Sequence, residues 1–428
     1  MVESNLEKLV EDIAQRALSA SYNLASLSTE KKNAVLELLA AELEKPEIRE
    51  HLRGENERDL IAGETAGLSE ALLDRLKLTP ARLDSMVEGI RQVAALPDPV
   101  GQELERRQHA TGFTLRKVRV PIGVIGIVYE SRPNVTIDCA VLCLKSGNAT
   151  ILRGGREAFH SNQALAQIIG RVLTAEGINP DAVQLIPTTD RYALSVLMKL
   201  DQYVHCLIPR GGEGLIRFVA ENARMPVIKH YKGVCNVYID PAADVDMAVS
   251  ISVNAKCQRP SVCNAAENLV VHRDALNSHL VPIAKALHAE GVELRLDRPA
   301  ADCIHQAGGI PFTTATEEDF HEEYLDKVIS VRTVDSLQAA IDFINAYGSG
   351  HSDAIVTADA EAAAAFQQGV DAASVYWNAS TRFTDGFEFG LGAEIGISTD
   401  KLHARGPMGL TELTSYKFLI DGHGETRS

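Results

Sequence analysis

The succession of apolar and polar positions divides the chain into stretches of different period. Near the start, Leu6, Leu9, Val10, Ile13, Ala17 and Leu18 recur at helical spacing, and Ser4 with Glu7 is placed as a capping box ahead of them. A second helix is expected from about Thr29 to Lys45, stopping before Pro46. A further helix opens at Thr79-Pro80 and ends near Pro97, because proline suits a first helical turn and cannot continue a helix.

From Phe113 the period changes. FTLRKVRVPIGVIGIVYES alternates and then becomes continuously apolar, the pattern of an exposed hairpin strand followed by a strand buried on both faces. Short apolar runs then alternate with helical segments: ATILRG, a helix near Ser161 to Ala175, AVQLIP, a helix near Ala193 to Leu200, VHCLIP, a helix from Glu213 to Glu221, and PVIKH. A second series repeats the rhythm with VCNVYID, a helix from Val245 to Asn254, ENLVVH, a helix from Asn277 to Glu290, VISVRTV, a helix from Ser336 to Tyr347, SDAIVT and ASVYWNA. This alternation predicts an α/β fold with doubly wound sheets, which take nucleotides at the carboxyl ends of their strands. Each series can bury its own core, so a domain boundary is expected close to Gly233.

Length agrees, since 428 residues exceed what one core organises and suggest two or three domains. A net charge of -16 argues against a general nucleic-acid or anionic-membrane surface, so any anionic ligand needs a local basic pocket. MVESNLEKLVEDIAQ lacks the basic-then-apolar run of a secretion signal, and the run from Ile122 to Tyr129 is too short to span a bilayer; a cytoplasmic protein is expected. Seven scattered cysteines favour thiols over a disulfide framework. Cys139 with Cys143 lacks a second pair, so no metal site is predicted and the two are expected to share a helix face.

The chemistry concentrates in NAKCQRPSVCNAAE, residues 254–267. Cys257 and Cys263 both have Lys256 and Arg259 nearby, and a thiol is a nucleophile only where its charge is favoured. By chemistry alone the two are nearly equivalent, and packing as a small hydrophobe stands open for both. Other loops sit where strands should end. YESRPNVT carries Asn134, either a helix-start residue or an oxyanion donor. LRGGREAFHSN offers Arg153 and Arg156 around two glycines, a phosphate grip or a solvated turn. IPRGGEGLIRFV sets Gly211 and Gly212 before a helix. WNASTRFTDGFEFGLGAEIGIST holds Arg382 and Glu394, a carboxylate fork with an ammonium partner or a surface salt bridge.

YESRPN, LRGG, QRPSVCNA and FGLGAEIGIST together resemble the acyl-phosphate-reducing branch of the aldehyde dehydrogenase superfamily, from the first helices to the last strand. The resemblance implies an aldehyde dehydrogenase-like α/β fold: a Rossmann-like cofactor domain (1–100 and 120–232), a catalytic domain (233–405) and a small β oligomerisation arm (101–119 and 406–428). It makes Cys263, not Cys257, the nucleophile, with Asn134 in the oxyanion hole. Arg153 and Arg156 fall at the adenosine ribose, Gly211 and Gly212 at the pyrophosphate-side turn, and Glu323 of EEYLDKVISV at the nicotinamide ribose. An Arg at the ribose with no Glu beside the sugar favours NADP over NAD. Arg259 would meet the leaving phosphate, and Arg382 and Glu394 the two charges of a glutamate backbone. The implied reaction is NADPH-dependent reduction of L-glutamyl 5-phosphate to L-glutamate 5-semialdehyde and phosphate, the second step of proline biosynthesis, by a homodimer or homotetramer. Hydrolytic relatives carry a general-base Glu where this chain reads Lys229-His230-Tyr231-Lys232-Gly233, which argues against a hydrolytic NAD(P)-dependent aldehyde dehydrogenase. A cysteine hydrolase without dinucleotide is the more distant alternative.

Overall fold

A computed structural model describes residues 2–427, which divide into two compact units. The first comprises 2–229, 390–396 and 408–427, and the second 230–389 and 397–407. The change of unit at 229/230 lies beside the expected Gly233, but 390–396 joins the first unit although the sequence reading put it in the catalytic domain.

The first unit opens with five helices: α1 (Val2–Leu24), α2 (Thr29–Glu44), α3 (Pro46–Thr65), α4 (Glu70–Leu76) and α5 (Pro80–Ala95). Ser28 and Thr79 cap α2 and α5 through their side-chain oxygens, as their positions before Thr29 and Pro80 predict. Ser4 does not cap: α1 is already helical from Val2, so Ser4 and Glu7 lie inside it. After strands β1 (Glu103–Gln108) and β2 (Thr114–Pro121), a parallel sheet is built from β3 (Val124–Tyr129), β4 (Ala149–Arg153), β5 (Val183–Leu185) and β6 (Cys206–Arg210), in the order β5-β4-β3-β6. Every residue of β3 is buried, as its unbroken apolar run requires. The connecting helices are α6 (Asn134–Lys145), α7 (Phe159–Ala175) and α8 (Tyr192–Leu197), and α9 (Glu213–Asn222) follows β6. PVIKH forms only a single bridge, Val227 to Leu207, rather than a strand.

The second unit holds β7 (Cys235–Ile239), α10 (Val245–Cys257), β8 (Ala266–His272), α11 (Val281–Ala289), β9 (Glu293–Leu296), α12 (Arg298–Ala307), β10 (Thr313–Thr314), β11 (Val328–Val334), α13 (Leu337–Tyr347), β12 (Ser352–Val356), α14 (Ala360–Gly369) and β13 (Ser374–Trp377). Its seven-stranded sheet runs β10-β9-β11-β8-β7-β12-β13 with every pairing parallel. Alternation sorts the strands to two cores: Val237, Ile239, Leu269 and Val271 pack toward α10, α11 and α12, and Tyr238 and Val270 toward α13 and α14. The helix expected from Asn277 begins as a π turn, Leu276–Leu280, and becomes α-helical at Val281, where Pro282 falls in the first turn. The β9–α12 pair was not anticipated, because ELRL shows no apolar run. Two short strands, β14 (Ile397–Ser398) and β15 (Gly406–Pro407), pair antiparallel, and in the first unit β16 (Thr414–Asp421) joins β2 to give the sheet β1-β2-β16.

A buried polar ladder crosses three neighbouring strands of the second sheet. The backbone N–H and Nδ2 of Asn236 on β7 both donate to Oδ1 of Asp353 on β12, at 2.9 and 2.7 Å. Asn268 on β8 donates to Asn236 Oδ1 at 3.0 Å. Burial pushes the Asp353 carboxyl up to about 7, against the opposing pull of the two Asn236 bonds. A carboxyl whose folded value lies above its unfolded one costs stability as pH rises from the unfolded value through the folded one. Asp353→Asn keeps the Oδ1 acceptor and removes the charge. Its stability relative to the parent should therefore rise between about pH 4 and pH 7 by about 1 kcal/mol or more, the equivalent of one pKa unit; urea titrations across that range measure it, and a pH-independent difference would contradict it.

Candidate active site

In the second unit, four loops lead into neighbouring strands at the amino edge of one sheet: 322–327 into β11, 258–265 into β8, 230–234 into β7 and 348–351 into β12. Because these strands are parallel and adjacent in the order β11-β8-β7-β12, their starts come together. Cys263 lies in the second loop and is half-buried. Cys257 instead ends α10 and packs on the core cluster beside it, where burial raises its thiol above the usual range. The structure thus separates two thiols that the local sequence left equivalent.

The Cys263 loop is held from several sides. A Cβ at Gly233 would lie 2.1 Å from the Cys263 carbonyl oxygen and 2.5 Å from its Cα, so only glycine fits. The Cys235 thiol donates to the same carbonyl at 3.2 Å, and burial raises it well above the usual thiol range, which keeps it protonated for that purpose. Cys235 Sγ also lies 3.8 Å from Nδ1 of His351, which meets Ser352 Oγ at 2.8 Å. Burial, and then the neighbouring His230, push His351 down to about 3, so it is a neutral imidazole near pH 7.

Asn264 carries the hold to the segment after β13. Its Nδ2 donates to the carbonyls of Thr384 at 2.8 Å and Arg382 at 3.3 Å, and its own carbonyl accepts from Thr381 Oγ1 at 2.7 Å. Arg382 Nη1 donates to Asn264 Oδ1, and Arg382 Nε to Gln258 Oε1 at 2.9 Å. The guanidinium expected to fork a substrate carboxylate is therefore committed in part to the loop, through Nη1 and Nε. Burial first, and Arg259 next, lower the Arg382 pKa, while Cys263 raises it. Arg382 is thus within electrostatic reach of both the Cys263 sulfur and the exposed Arg259.

Glu323 is half-buried in the loop before β11. Its neighbour Tyr324 fixes that loop: the hydroxyl bonds Asp319 Oδ1 at 3.0 Å and Ser330 Oγ at 2.6 Å, and the ring lies 4.9 Å from the Arg295 guanidinium.

In the first unit the predicted cofactor residues do gather at strand carboxyl ends. Arg153 ends β4, Glu130 follows β3, and Gly211 and Gly212 follow β6 ahead of α9. The Arg153 Nη atoms donate to the carbonyls of Gly154 at 2.9 Å and Thr189 at 3.2 Å, while its buried Nε has no hydrogen-bond partner. Burial lowers its pKa first. Arg156 is exposed on the following turn. The Gly212 N–H donates to Glu130 Oε2 at 2.9 Å, and a Cβ at Gly211 would lie 2.4 Å from that oxygen. An unpartnered buried guanidinium nitrogen, a second arginine and side-chain-free backbone before a helix N-terminus fit the phosphates of a dinucleotide. Glu157 follows Arg156, its Oε1 accepting from the N–H and Oγ of Ser131 at 2.6 and 2.8 Å. It is committed to the strained Ser131, whose φ is 41°.

Asn134 is the first residue of α6, and its Nδ2 donates to Asp138 Oδ2 at 2.8 Å, one helical turn on. Burial raises Asp138 to about 6, opposed by the Asn134 bond and the Arg210 charge. Glu394 falls in the segment 390–396 of the first unit, whereas Arg382 belongs to the second. Cys139 and Cys143 are both buried on α6, and among the described residues no group of three or more His, Cys, Asp or Glu could hold a metal ion.

Gly233, Cys235, Asn264, Thr381 and His351 escaped the sequence reading. The local signals were Gly233 directly before an apolar strand and Asn264 directly after Cys263; the others join only through strand adjacency.

The Aldehyde dehydrogenase family profile matches residues 2–302 and 313–417. The chain is 57% identical over 428 residues, all of both chains, to a gamma-glutamyl phosphate reductase of Opitutus terrae. It is 52% identical to that of Moorella thermoacetica over 99% of this chain and 100% of the relative. The crystal structure of gamma-glutamyl phosphate reductase from Thermotoga maritima superposes with a TM-score of 0.94 at 41% identity, covering 98% of this chain and 100% of that one. An acetylating aldehyde dehydrogenase from Geobacillus thermoglucosidasius shares the fold, with a TM-score of 0.68 at 16% identity over 100% of this chain and 99% of that one. With parallel sheets as expected and a family match along nearly all its length, this chain belongs to the aldehyde dehydrogenase family.

Proposed function

We propose that this protein, like full-length relatives named gamma-glutamyl phosphate reductase, reduces L-glutamyl 5-phosphate to L-glutamate 5-semialdehyde and phosphate, and that it does so with NADPH as the second step of proline biosynthesis. Identity along the whole chain to proteins of that name carries the reading. The chemistry around Cys263 suits it. The Cys263 thiolate attacks the acyl phosphate carbonyl, and the oxyanion accepts hydrogen bonds from the second Nδ2–H of Asn134 and the Cys263 backbone N–H. The bond to phosphate breaks, Arg259 takes the leaving anion while Arg382 holds the substrate carboxylate, and a thioester remains on Cys263. NADPH, when bound, supplies the hydride that reduces this thioester. Cys263 then departs as thiolate and the semialdehyde is released. Arg153, Arg156, Gly211 and Gly212 would hold the phosphate side of the dinucleotide, Glu323 the nicotinamide ribose, and Glu394 the substrate ammonium. Between Lys229 and Gly233 there is no carboxylate to activate water, so the thioester persists long enough to be reduced. A cytoplasmic enzyme fits a soluble substrate, and among the described residues no helix is long and apolar enough to cross a membrane.

The arm supports a homodimer or homotetramer. Tyr416, Phe418 and Ile420 are 51%, 51% and 61% exposed at alternate positions of β16, the strand at one edge of its sheet.

Run in reverse, NADP reduction by the semialdehyde should require phosphate; Cys263→Ala should abolish it, and Cys257→Ala should leave kcat within about twofold of the parent, the margin of an ordinary packing change away from a site. Phosphate-independent turnover would instead indicate a hydrolytic enzyme. The kcat–pH profile should carry an acid limb centred near 6, where Asp138 takes up a proton and becomes a weaker acceptor for Asn134. Asp138→Asn should remove that limb and lower kcat about tenfold, less than the loss of a whole oxyanion donor; a limb unmoved in the variant assigns it to another group. Light scattering at micromolar concentration should give a dimer or tetramer, and Phe418→Lys with Ile420→Lys should shift it to monomer.

A further inference from the structure

The loop that carries Cys263 begins and ends on a buried ion pair. Lys256 lies in the last turn of α10 and Glu267 is the second residue of β8, eleven positions apart, with Cys263 between them. Both side chains are 0% exposed, and Nζ meets Oε2 at 2.5 Å. The second carboxylate oxygen, Oε1, is buried without a hydrogen-bond partner.

The pair also touches the loop that carries Glu323. Lys256 Nζ lies 5.8 Å from the centre of the Tyr324 ring, on a side chain whose hydroxyl already pins that loop to Asp319 and Ser330. Leu325 holds φ at 54°, a left-handed conformation that a leucine keeps only when its surroundings impose it. Burial pushes the Glu267 carboxyl up from the usual carboxylate range; Lys256 opposes this, Glu323 adds to it, and the Leu325 backbone amide opposes it again. Glu267 is therefore within electrostatic reach of both Glu323 and the strained Leu325.

We propose that Lys256 and Glu267 are positioning residues that clasp the Cys263 loop shut and set it in register with the Glu323 loop. Neither touches substrate in this arrangement: the pair has no exposed surface, and its effect passes through the backbone on either side. A buried ion pair is a weak source of net stability, since apolar residues of similar volume often replace both partners without loss, whereas removal of one leaves a buried charge alone. That difference separates positioning from mere support. The inference rests on the roles proposed above for Cys263 and Glu323.

The test compares Lys256→Met/Glu267→Met with Lys256→Met, Glu267→Gln, Glu323→Gln and Cys263→Ala in the full-length chain. The double variant should unfold within a few degrees of the parent. The rate of iodoacetamide labelling at Cys263, read by mass spectrometry, should nevertheless fall at least tenfold, and the NADPH dissociation constant, read by fluorescence, should rise at least fivefold. A double variant that folds with parental labelling and NADPH affinity overturns the proposal, leaving the pair as support alone. If it fails to fold, Glu267→Gln decides: labelling or NADPH affinity lost below the melting transition supports the clasp, and both retained overturns it. Failure of the reading beneath gives a different pattern, in which Cys263→Ala retains turnover or Glu323→Gln leaves NADPH affinity unchanged.

Discussion

The contact on which the second unit's chemistry depends is backbone against backbone. Gly233 and Cys263 approach so closely that any side chain at 233 would occupy the space of the Cys263 carbonyl. Such an approach fixes where the peptide of Cys263, the proposed nucleophile, lies before any side chain is considered, and the remaining contacts elaborate it. Cys235, two residues into the chain beyond Gly233, donates to the carbonyl that the glycine exposes. Asn264, the next residue, is tied to Thr381 and Thr384. A nucleophile that must meet a carbonyl carbon in a narrow range of directions gains from this, because the ordering is completed during folding and not charged to each turnover.

Parallel pairing explains why these residues meet at all. A parallel sheet lines up strand starts on one edge, so loops that are distant in sequence become neighbours when their strands do. Asn236, Asn268 and Asp353 form the first buried layer beneath that edge, and their hydrogen bonds set the stagger of β7, β8 and β12. The two units use opposite edges. In the first, cofactor candidates occupy strand carboxyl ends, the usual place for nucleotides in open α/β sheets. In the second, Cys263, Gly233, His351 and Glu323 all precede their strands.

That difference decides how much was legible in the residues alone. Strand and helix order followed from period, and β3, β7, β8, β11 and β12 stand where unbroken apolar runs predict them. The carboxyl-end loops were legible too, since the glycines and arginines of LRGG and PRGG lie directly after such runs. The amino-edge cluster was not, because Cys235 and His351 are separated by more than a hundred residues and meet only when β12 pairs with β7. Cys235 reads as a core residue, and in packing it is one. Arg382 shows the converse limit: its chemistry suggested a ligand, but Asn264 and Gln258, which take part of its donor set, lie far off in sequence. Ser4 and Glu7 matched a capping pattern locally, yet the helix already runs through them from Val2.

Charge placement gives the last step. A chain with a net charge of -16 must attract and release an acyl phosphate and a dinucleotide, both anionic, so cationic groups matter most where bulk solvent screens them least. Arg382 and Arg153 are partly buried and depressed by that burial, which shows that the fold bears the cost of holding guanidiniums away from water. Near Cys263 several groups that could act as bases are disarmed. His351 is neutral and inaccessible, Cys235 stays protonated, and the Lys229–Gly233 stretch has no carboxylate. For the thioester proposed on Cys263, this arrangement disfavours hydrolysis and leaves partition toward hydride or phosphate. The selectivity of such a site therefore lies as much in which protons its buried groups cannot take as in the nucleophile it presents.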